Sequence, residues 1–387
     1  MEYLLFELKK VIKNKLALIS ISILIIISGI VLFMNLHAES EFTLQAGAKK
    51  EITYYQAENA KLKKKLLQQK KNSDLYRETK YAIKSNEKIS SQDYQIQQAA
   101  QANKWHRAYT LMWEKKKKEK KYLEAIDSNQ INQAQVKELN TKLDFFTYLK
   151  LKPLAYESQD MPVTGIQFWL HLNKQYLPYL FTLVALFILT LLFTENYKQK
   201  LNPTKLIPIS KLRLTSTEIT AGLILIGGSF LVINLLMFIA ATFCAGSGNL
   251  EFPYLTHSFV NGKVTNNFVA SGKLILPIIT LQILGILFLV VLVRLFAKIF
   301  RTQLPTLLFT LLLVLGVNIA EIAVPILKKI SAWLPMTYLN AVDSASGYLG
   351  LIYQNSHLNF ASGIIVLLFS TIVILGLTFI IESLQKF

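Results

Sequence analysis

Glu321 is a carboxylate set inside an apolar run, "LPTLLFTLLLVLGVNIAEIAVPIL" at 304–327, with Asn318 one helical turn before it and Pro325 one turn after. A charge in hydrocarbon is costly, so an ionisable group at membrane depth faces a bundle interior or a water-filled cavity. Two roles follow. Glu321 lines a translocation path or gate, or it pairs with Lys328 or Lys329 at the interface. Asn234 and Gln282 sit in two further apolar runs, where an amide hydrogen-bonds between helices or joins the same path. Arg294 and Lys298, one turn apart at the end of a run, are expected to snorkel to lipid headgroups.

Catalytic chemistry is absent from the pattern. A phosphate-cradling loop needs glycine, four residues, then Gly-Lys-Ser/Thr. The nearest string, "NNFVASGKL", has Asn267 for the first glycine and Leu274 after the lysine. No HExxH, paired His/Cys set or nucleophile elbow occurs, and the five histidines are scattered. Cys244 is the single cysteine, which excludes an internal disulfide and a cysteine-rich metal cluster. No cofactor is expected on this chain.

The elements that must carry these residues are membrane spans. Of 387 residues, 52% are hydrophobic and only 17% charged, too apolar a balance for an ordinary soluble chain. Six runs approach the ~20 residues that cross hydrocarbon as a helix: Leu16–Leu36, Leu177–Phe193, Ile219–Phe243, Leu274–Phe296, Leu304–Leu327 and Ile364–Ile381. They lack the alternation of barrel strands. The expected fold is an all-α polytopic membrane protein with six transmembrane helices. The first run is longer than a signal-peptide core and is followed by a poor cleavage site, so it is read as a retained span.

Lysine and arginine orient it. With the N-terminus inside, inner segments hold Lys9, Lys10, Lys13, Lys15, the cations of 198–213, Arg294, Lys298, Arg301 and Lys386, against Lys263, Lys273, Lys328 and Lys329 in short outer loops. That bias predicts both termini in the cytoplasm. The lysine-rich, cysteine-poor composition is expected of a Gram-positive bacterium's plasma membrane.

Between spans one and two, residues 38–165 form an extracytoplasmic helical domain in this reading. Heptad-like seams run through Ile52, Tyr55, Asn59, Leu62, Leu66, Gln69, Ser73, Tyr76, Lys80 and Ile83, through Trp105, Tyr109, Met112, Lys116, Glu119, Leu123 and Ile126, and through Val136, Leu139, Leu143 and Phe146. Turn signals at "KSNEKISSQD" near residue 88 and "DSNQ" at 127 predict an antiparallel, coiled-coil-like hairpin with a third helix returning to the membrane. The clusters "KLKKK" and "EKKKKEKK" suit a solvated helix face or anionic partners such as wall polymers or lipid headgroups. Nucleic acid is not expected. The domains are then 1–37, 38–165 and 166–387.

Residues 194–219, "TENYKQKLNPTKLIPISKLRLTSTEI", separate spans two and three. Pro203 and Pro208 break any long helix, and Thr215 with Glu218 forms a capping box opening the third span. The stretch resembles the permease subunits of type-2 ABC exporters, whose second span ends in an acidic residue, a basic stretch, and then leucine, proline, hydrophobic, serine, basic. Glu195 matches the acidic position, and Ile207, Pro208, Ile209, Ser210 and Lys211 match the core, with Lys205 in the basic stretch. "FELKKVIKNKLALI" at 6–19 looks like the family's amphipathic elbow helix. "WLPMTYLNAV" at 333–342, with Leu334, Pro335, Tyr338 and Asn340, is similar to its outer motif among short re-entrant helices, here 328–362. A glycine usual after the acidic position is absent, its place taken by Lys200, Leu201 and Asn202.

The resemblance implies that 195–216 is a coupling loop docking on a separate ABC ATPase subunit that binds Mg-ATP. It also implies a homodimer or a pairing with a paralogous permease, embedded among membrane lipids. The expected function is ATP-driven export of an amphipathic peptide or lipid-like substrate, such as an antimicrobial peptide. The alternatives are a signalling or scaffold protein that relays ATP-driven motion to the helical domain without transport, and an assembly factor using that domain for contacts alone.

Overall fold

The computed structural model describes residues 2–71, 73–125, 133–197, 210–260 and 263–384. In chain order the helices are α1 (Glu2–Ile12), α2 (Lys15–Phe42), α3 (Leu44–Gln68), α4 (Asp74–Gln101), α5 (Trp105–Ala125), α6 (Gln133–Leu151), α7 (Gly165–Gln175), α8 (Leu177–Thr194) and α9 (Lys211–Ala245). Strands β1 (Pro253–Val260) and β2 (Lys263–Ala270) precede α10 (Gly272–Phe300), α11 (Gln303–Leu311), α12 (Val317–Ala323), α13 (Pro325–Ile330), α14 (Ala341–Ala345), α15 (Tyr348–Tyr353) and α16 (Phe360–Leu384).

Among the described residues, six helices are long and apolar enough to cross a bilayer: Lys15–Phe42, Leu177–Tyr197, Leu212–Ala245, Gly272–Phe300, Gln303–Glu321 and Phe360–Glu382. Backbone groups in lipid must bond within their own segment, and helices do this. The protein is a multi-pass helical membrane protein. The fifth span is irregular. A π-helical turn at Leu312–Gly316 interrupts it, and Val324, extended before Pro325, ends it. Asn318 and Glu321 lie between those two breaks.

The chain divides into two compact units. The first comprises Met1–Phe33, Thr164–Glu251 and Leu255–Phe387, and the second Met34–Val163 with Phe252–Tyr254. In the second unit α3 and α4 pair, Asn86 Nδ2 donating to Asn59 Oδ1 at 3.0 Å. Lys115 of α5 bonds Asp93 of α4 at 2.5 Å and also meets Glu51 of α3. Ile96, Ala100, Tyr109 and Leu149 are buried in its core. The turn expected near residue 88 is not there: α4 passes straight through, and the breaks fall on either side of it, the first of them between Gln68 and Asp74, inside the seam expected to run unbroken from Ile52 to Ile83. Ser73 caps α4, accepting from Tyr76 N–H, and Asn103 takes the left-handed conformation (φ 54°) between α4 and α5. Helix-compatible Ser and Asn inside a long, paired helix do not stop it, because tertiary pairing outweighs weak local propensity. The "DSNQ" signal lies outside the described residues.

In the first unit a small two-stranded sheet of β1 and β2 accompanies the helices. Thr256 Oγ1 donates to Asn267 O at 2.9 Å across it, and His257 N–H docks it on Ser346 O at 2.8 Å. Gly347 makes that approach possible: its φ is +74°, and a Cβ there would lie 2.0 Å from His257 O. Gly347→Ala is expected to destabilise the protein by more than the ~1 kcal/mol left-handed penalty alone, read as a lower Tm in detergent and faster amide exchange in β1.

Candidate functional site

At one end of the first unit, the ends of four spans and the amphipathic α1 bring a set of charges out of solvent. Helix α8 runs into a 3-10 turn, Glu195–Tyr197, and Ser210 caps α9, its hydroxyl accepting from Arg213 N–H at 3.4 Å. Between these flanks, Lys205, Ile207, Pro208 and Ile209 of the expected coupling core lie outside the described residues. Of that set, Glu195 is half-buried with Lys10 at 3.9 Å, Ser210 is the cap, and Lys211 is the first residue of α9.

Behind the flanks lies Arg294 of α10, 2% exposed. Its Nη2 is 2.5 Å from Glu218 Oε2 of α9 and 3.4 Å from Glu382 Oε1 of α16. Lys298 reaches the same Glu382 oxygen at 3.1 Å, and Thr215 Oγ1 donates to it at 2.5 Å. Asn196 joins this set to α1: its Nδ2 lies 3.3 Å from both Glu7 Oε1 and Glu218 Oε1, while Lys10 Nζ donates to its Oδ1 at 2.7 Å. Tyr3 OH stands 3.5 Å from Glu218 Oε1. Burial, then the Glu218 and Glu7 carboxylates, push the Tyr3 phenol up, so it remains a neutral donor. Phe193 faces the guanidinium at 5.9 Å.

Two expectations are overturned here. Arg294 and Lys298 do not snorkel; they turn inward because buried carboxylates on neighbouring helices offer a partner in low dielectric. Thr215 and Glu218 do not form a capping box. The helix starts a turn earlier at Lys211 under Ser210, freeing both side chains for Glu382 and Arg294. Sequence reasoning passed over Glu7, Lys10, Asn196 and Glu382. The available signal was Glu382 and Arg294 together, two opposite charges at the ends of apolar runs.

Four carboxylates (Glu7, Glu195, Glu218, Glu382) thus meet Lys10, Arg294 and Lys298 across α1, α8, α9, α10 and α16 among the described residues. Buried pairs of this kind add little net stability over apolar packing, but removing one partner is strongly destabilising. Chemically the cluster is a clasp that joins five elements and holds them in register.

The other candidates gather at the opposite end. Glu321 is fully buried, and its partners are hydroxyls, not Lys328 or Lys329: Thr337 Oγ1 donates at 2.7 Å and Tyr353 OH at 3.3 Å. Asn318 Nδ2 donates to Met336 O at 3.3 Å. Both therefore grip the segment expected to form the outer motif. Leu334 and Pro335 lead into a 3-10 turn, Tyr338 OH donates to Ala332 O at 2.8 Å, and Asn340 caps α14 while donating to Asp343 Oδ2 at 2.7 Å. Asn234 is not among them. It accepts from Asn173 Nδ2 at 2.7 Å, and Asn173 Oδ1 accepts from Gln282 at 2.8 Å. Asn234 and Gln282 border an apolar cleft of about 440 Å³ between α7, α9 and α10, walled by Trp169, Phe230 and Phe238.

Asp343, outside the spans, is pushed up to about 6 by burial, against the pull of Lys174 at 3.9 Å and the Asn340 amide. Its folded value lies above its unfolded one, so the native state binds this proton more tightly. The group's contribution is then most favourable below about pH 4 and is lost as pH rises through about 6. Asp343→Asn is expected to flatten the stability–pH curve across that window by about 3 kcal/mol, as followed by thermal melting at stepped pH.

No protein-family model, curated protein or solved structure matches the chain.

Proposed function

We propose that this multi-pass protein is the permease subunit of an ATP-driven exporter, with a separate ABC ATPase hydrolysing Mg-ATP beneath it. Residues 195–216 are the docking loop on the cytoplasmic side, the termini share that side, and a second permease, identical or paralogous, completes the path. The observation that carries this reading is the clasp. The loop leaves at Tyr197 and returns at Ser210, and both flanks are tied through Asn196, Glu218 and Thr215 to α1, α10 and α16. A push on such a loop moves several spans together. The sequence resemblance of that loop supports the identity of the motor. The cleft supports an amphipathic cargo, since its volume falls in the range of small-molecule pockets and amides edge an apolar wall.

The test is to solubilise the full chain from its host, identify any co-eluting nucleotide-binding protein, and measure that protein's hydrolysis with and without the chain. Stimulation is expected. An eluate free of any ATPase, or hydrolysis indifferent to the chain, overturns the reading.

A second reading has its own support, because Met34–Val163 carries a separate core. In it, ATP-driven motion is relayed to this unit and nothing is transported. Deleting residues 50–150 separates the two: export that survives favours a pore with an accessory domain, and export never observed with either form favours the relay.

A further inference from the structure

We propose that the turn end of the α3–α4 pair is a docking surface for a bilayer rich in anionic phospholipid. The idea stands independently of the exporter reading. Residues 34–163 carry a net charge of +8, and residues 61–84 alone hold nine cations against two acids, net +7. The structure collects these at one place: they form the last turns of α3 and the first turns of α4, where the two helices meet at their connection. Among the described residues, the side-chain hydrogen bonds between α4 and α5 are made at Gln92 and Asp93, outside this stretch.

A solvated helix face interleaves its charges with opposite ones. This end does not. Among the described residues its ion pairs are Lys61–Glu58, Lys63–Glu87 and Arg77–Asp74. Lys64, Lys65, Lys70, Lys71, Lys80 and Lys84 are exposed and hold no ion pair there. Charge complementarity therefore calls for an anionic partner.

Apolar side chains decide which kind. Leu67 is 88% exposed and Leu75 59% exposed, on either side of the same connection. The pairing does not need them, since Asn59, Asn86 and the buried Ile83 supply its seam. A soluble polyanion would neutralise the lysines and leave the leucines in water. A bilayer surface takes both, with headgroup phosphates on the ammonium groups and leucines entering the acyl boundary. Each lysine near such a surface contributes a few-fold in affinity, and salt weakens the effect.

The experiment uses the full chain held in a non-ionic amphipol, so that it has no bilayer of its own. It is floated with phosphatidylcholine vesicles, with or without phosphatidylglycerol. Capture by the phosphatidylglycerol vesicles alone is expected, and it should weaken as salt rises. Replacing Lys64, Lys65, Lys70 and Lys71 together by Gln should reduce capture by roughly a hundredfold, and Leu67→Ser by several-fold. The same change of charge on α5, at Lys117, Lys118, Lys120 and Lys121, should leave capture nearly intact.

Equal losses from the two quadruple variants would mean that net charge alone acts, and would overturn the proposal. So would no capture. Tight binding of inorganic polyphosphate with no effect of Leu67→Ser on any binding would assign the surface to a soluble polyanion instead. Circular dichroism of each variant checks that its helices persist.

Discussion

Arg294→Met is expected to cost about 3–5 kcal/mol of stability and to abolish stimulation of the partner ATPase. The methionine fills much of the space but leaves Glu218 and Glu382 buried beside one another, with Lys298 at ion-pair distance of Glu382. Arg294→Lys should rescue only in part, because an ammonium cannot present the planar fork that serves two carboxylates on different helices. Adding Glu218→Gln to Arg294→Met should recover part of the loss, since it removes the stranded charge. The two changes should depart from additivity by about 0.5–3 kcal/mol. Melting of the four proteins in detergent reads the cycle. If Arg294→Met melts with the parent, the clasp is not holding the span ends and loses its place in the mechanism.

Ile209→Asp is expected to leave the fold intact and uncouple the machine. Ile209 stands in the proline-flanked core of the segment that the proposal docks in a groove of the ATPase. A carboxylate in such an apolar contact is desolvated without a partner, a change worth several kcal/mol at an interface. The prediction is at least a tenfold fall in chain-stimulated ATP hydrolysis, with melting temperature and yield unchanged. Unchanged stimulation would move the docking surface elsewhere. Cysteine labelling of residues 198–213 in intact cells gives the orthogonal check: reagent confined to the outside should not reach them.

The two substitutions are designed to fail differently. Arg294→Met disturbs the described end of the bundle and should lower stability and coupling together. Ile209→Asp should lower coupling alone. A result in which both variants lose only stability would leave the clasp as a structural feature with no motor attached.

Some of this architecture is legible in the residues because its cause is local. Hydrocarbon thickness demands about twenty apolar residues per crossing, and all six expected runs overlap the six span-forming helices. The seams that begin at Trp105 and Val136 likewise fall on α5 and α6, whereas the first seam ran unbroken across the Ser73 cap that opens α4 at Asp74. The β-hairpin was also readable. Asn261-Gly262, between two stretches rich in β-branched and aromatic residues, is a strong hairpin signal.

Other features depend on which helices become neighbours. Nothing near Arg294 in the chain marks it as buried; its acids are 76 positions before it, at Glu218, and 88 after it, at Glu382. A cation at a span end has two low-energy choices, headgroup or buried carboxylate, and only packing of α9, α10 and α16 selects between them. Glu321 shows the same dependence. Lys328 and Lys329 are closest in sequence, yet the breaks at Leu312–Gly316 and Val324 turn it toward Thr337 and Tyr353.

By itself, then, the order of residues determined the solvent, the spans and where charge accumulates, because each depends on composition within a short window. Tertiary structure alone decided which charges meet, which hydroxyls answer a buried carboxylate, and that the lysines of 61–84 share one exposed end. The physical reason is range. Hydropathy and propensity act over a turn or a span, whereas Coulomb and hydrogen-bond partners in a dry interior are chosen by proximity in space.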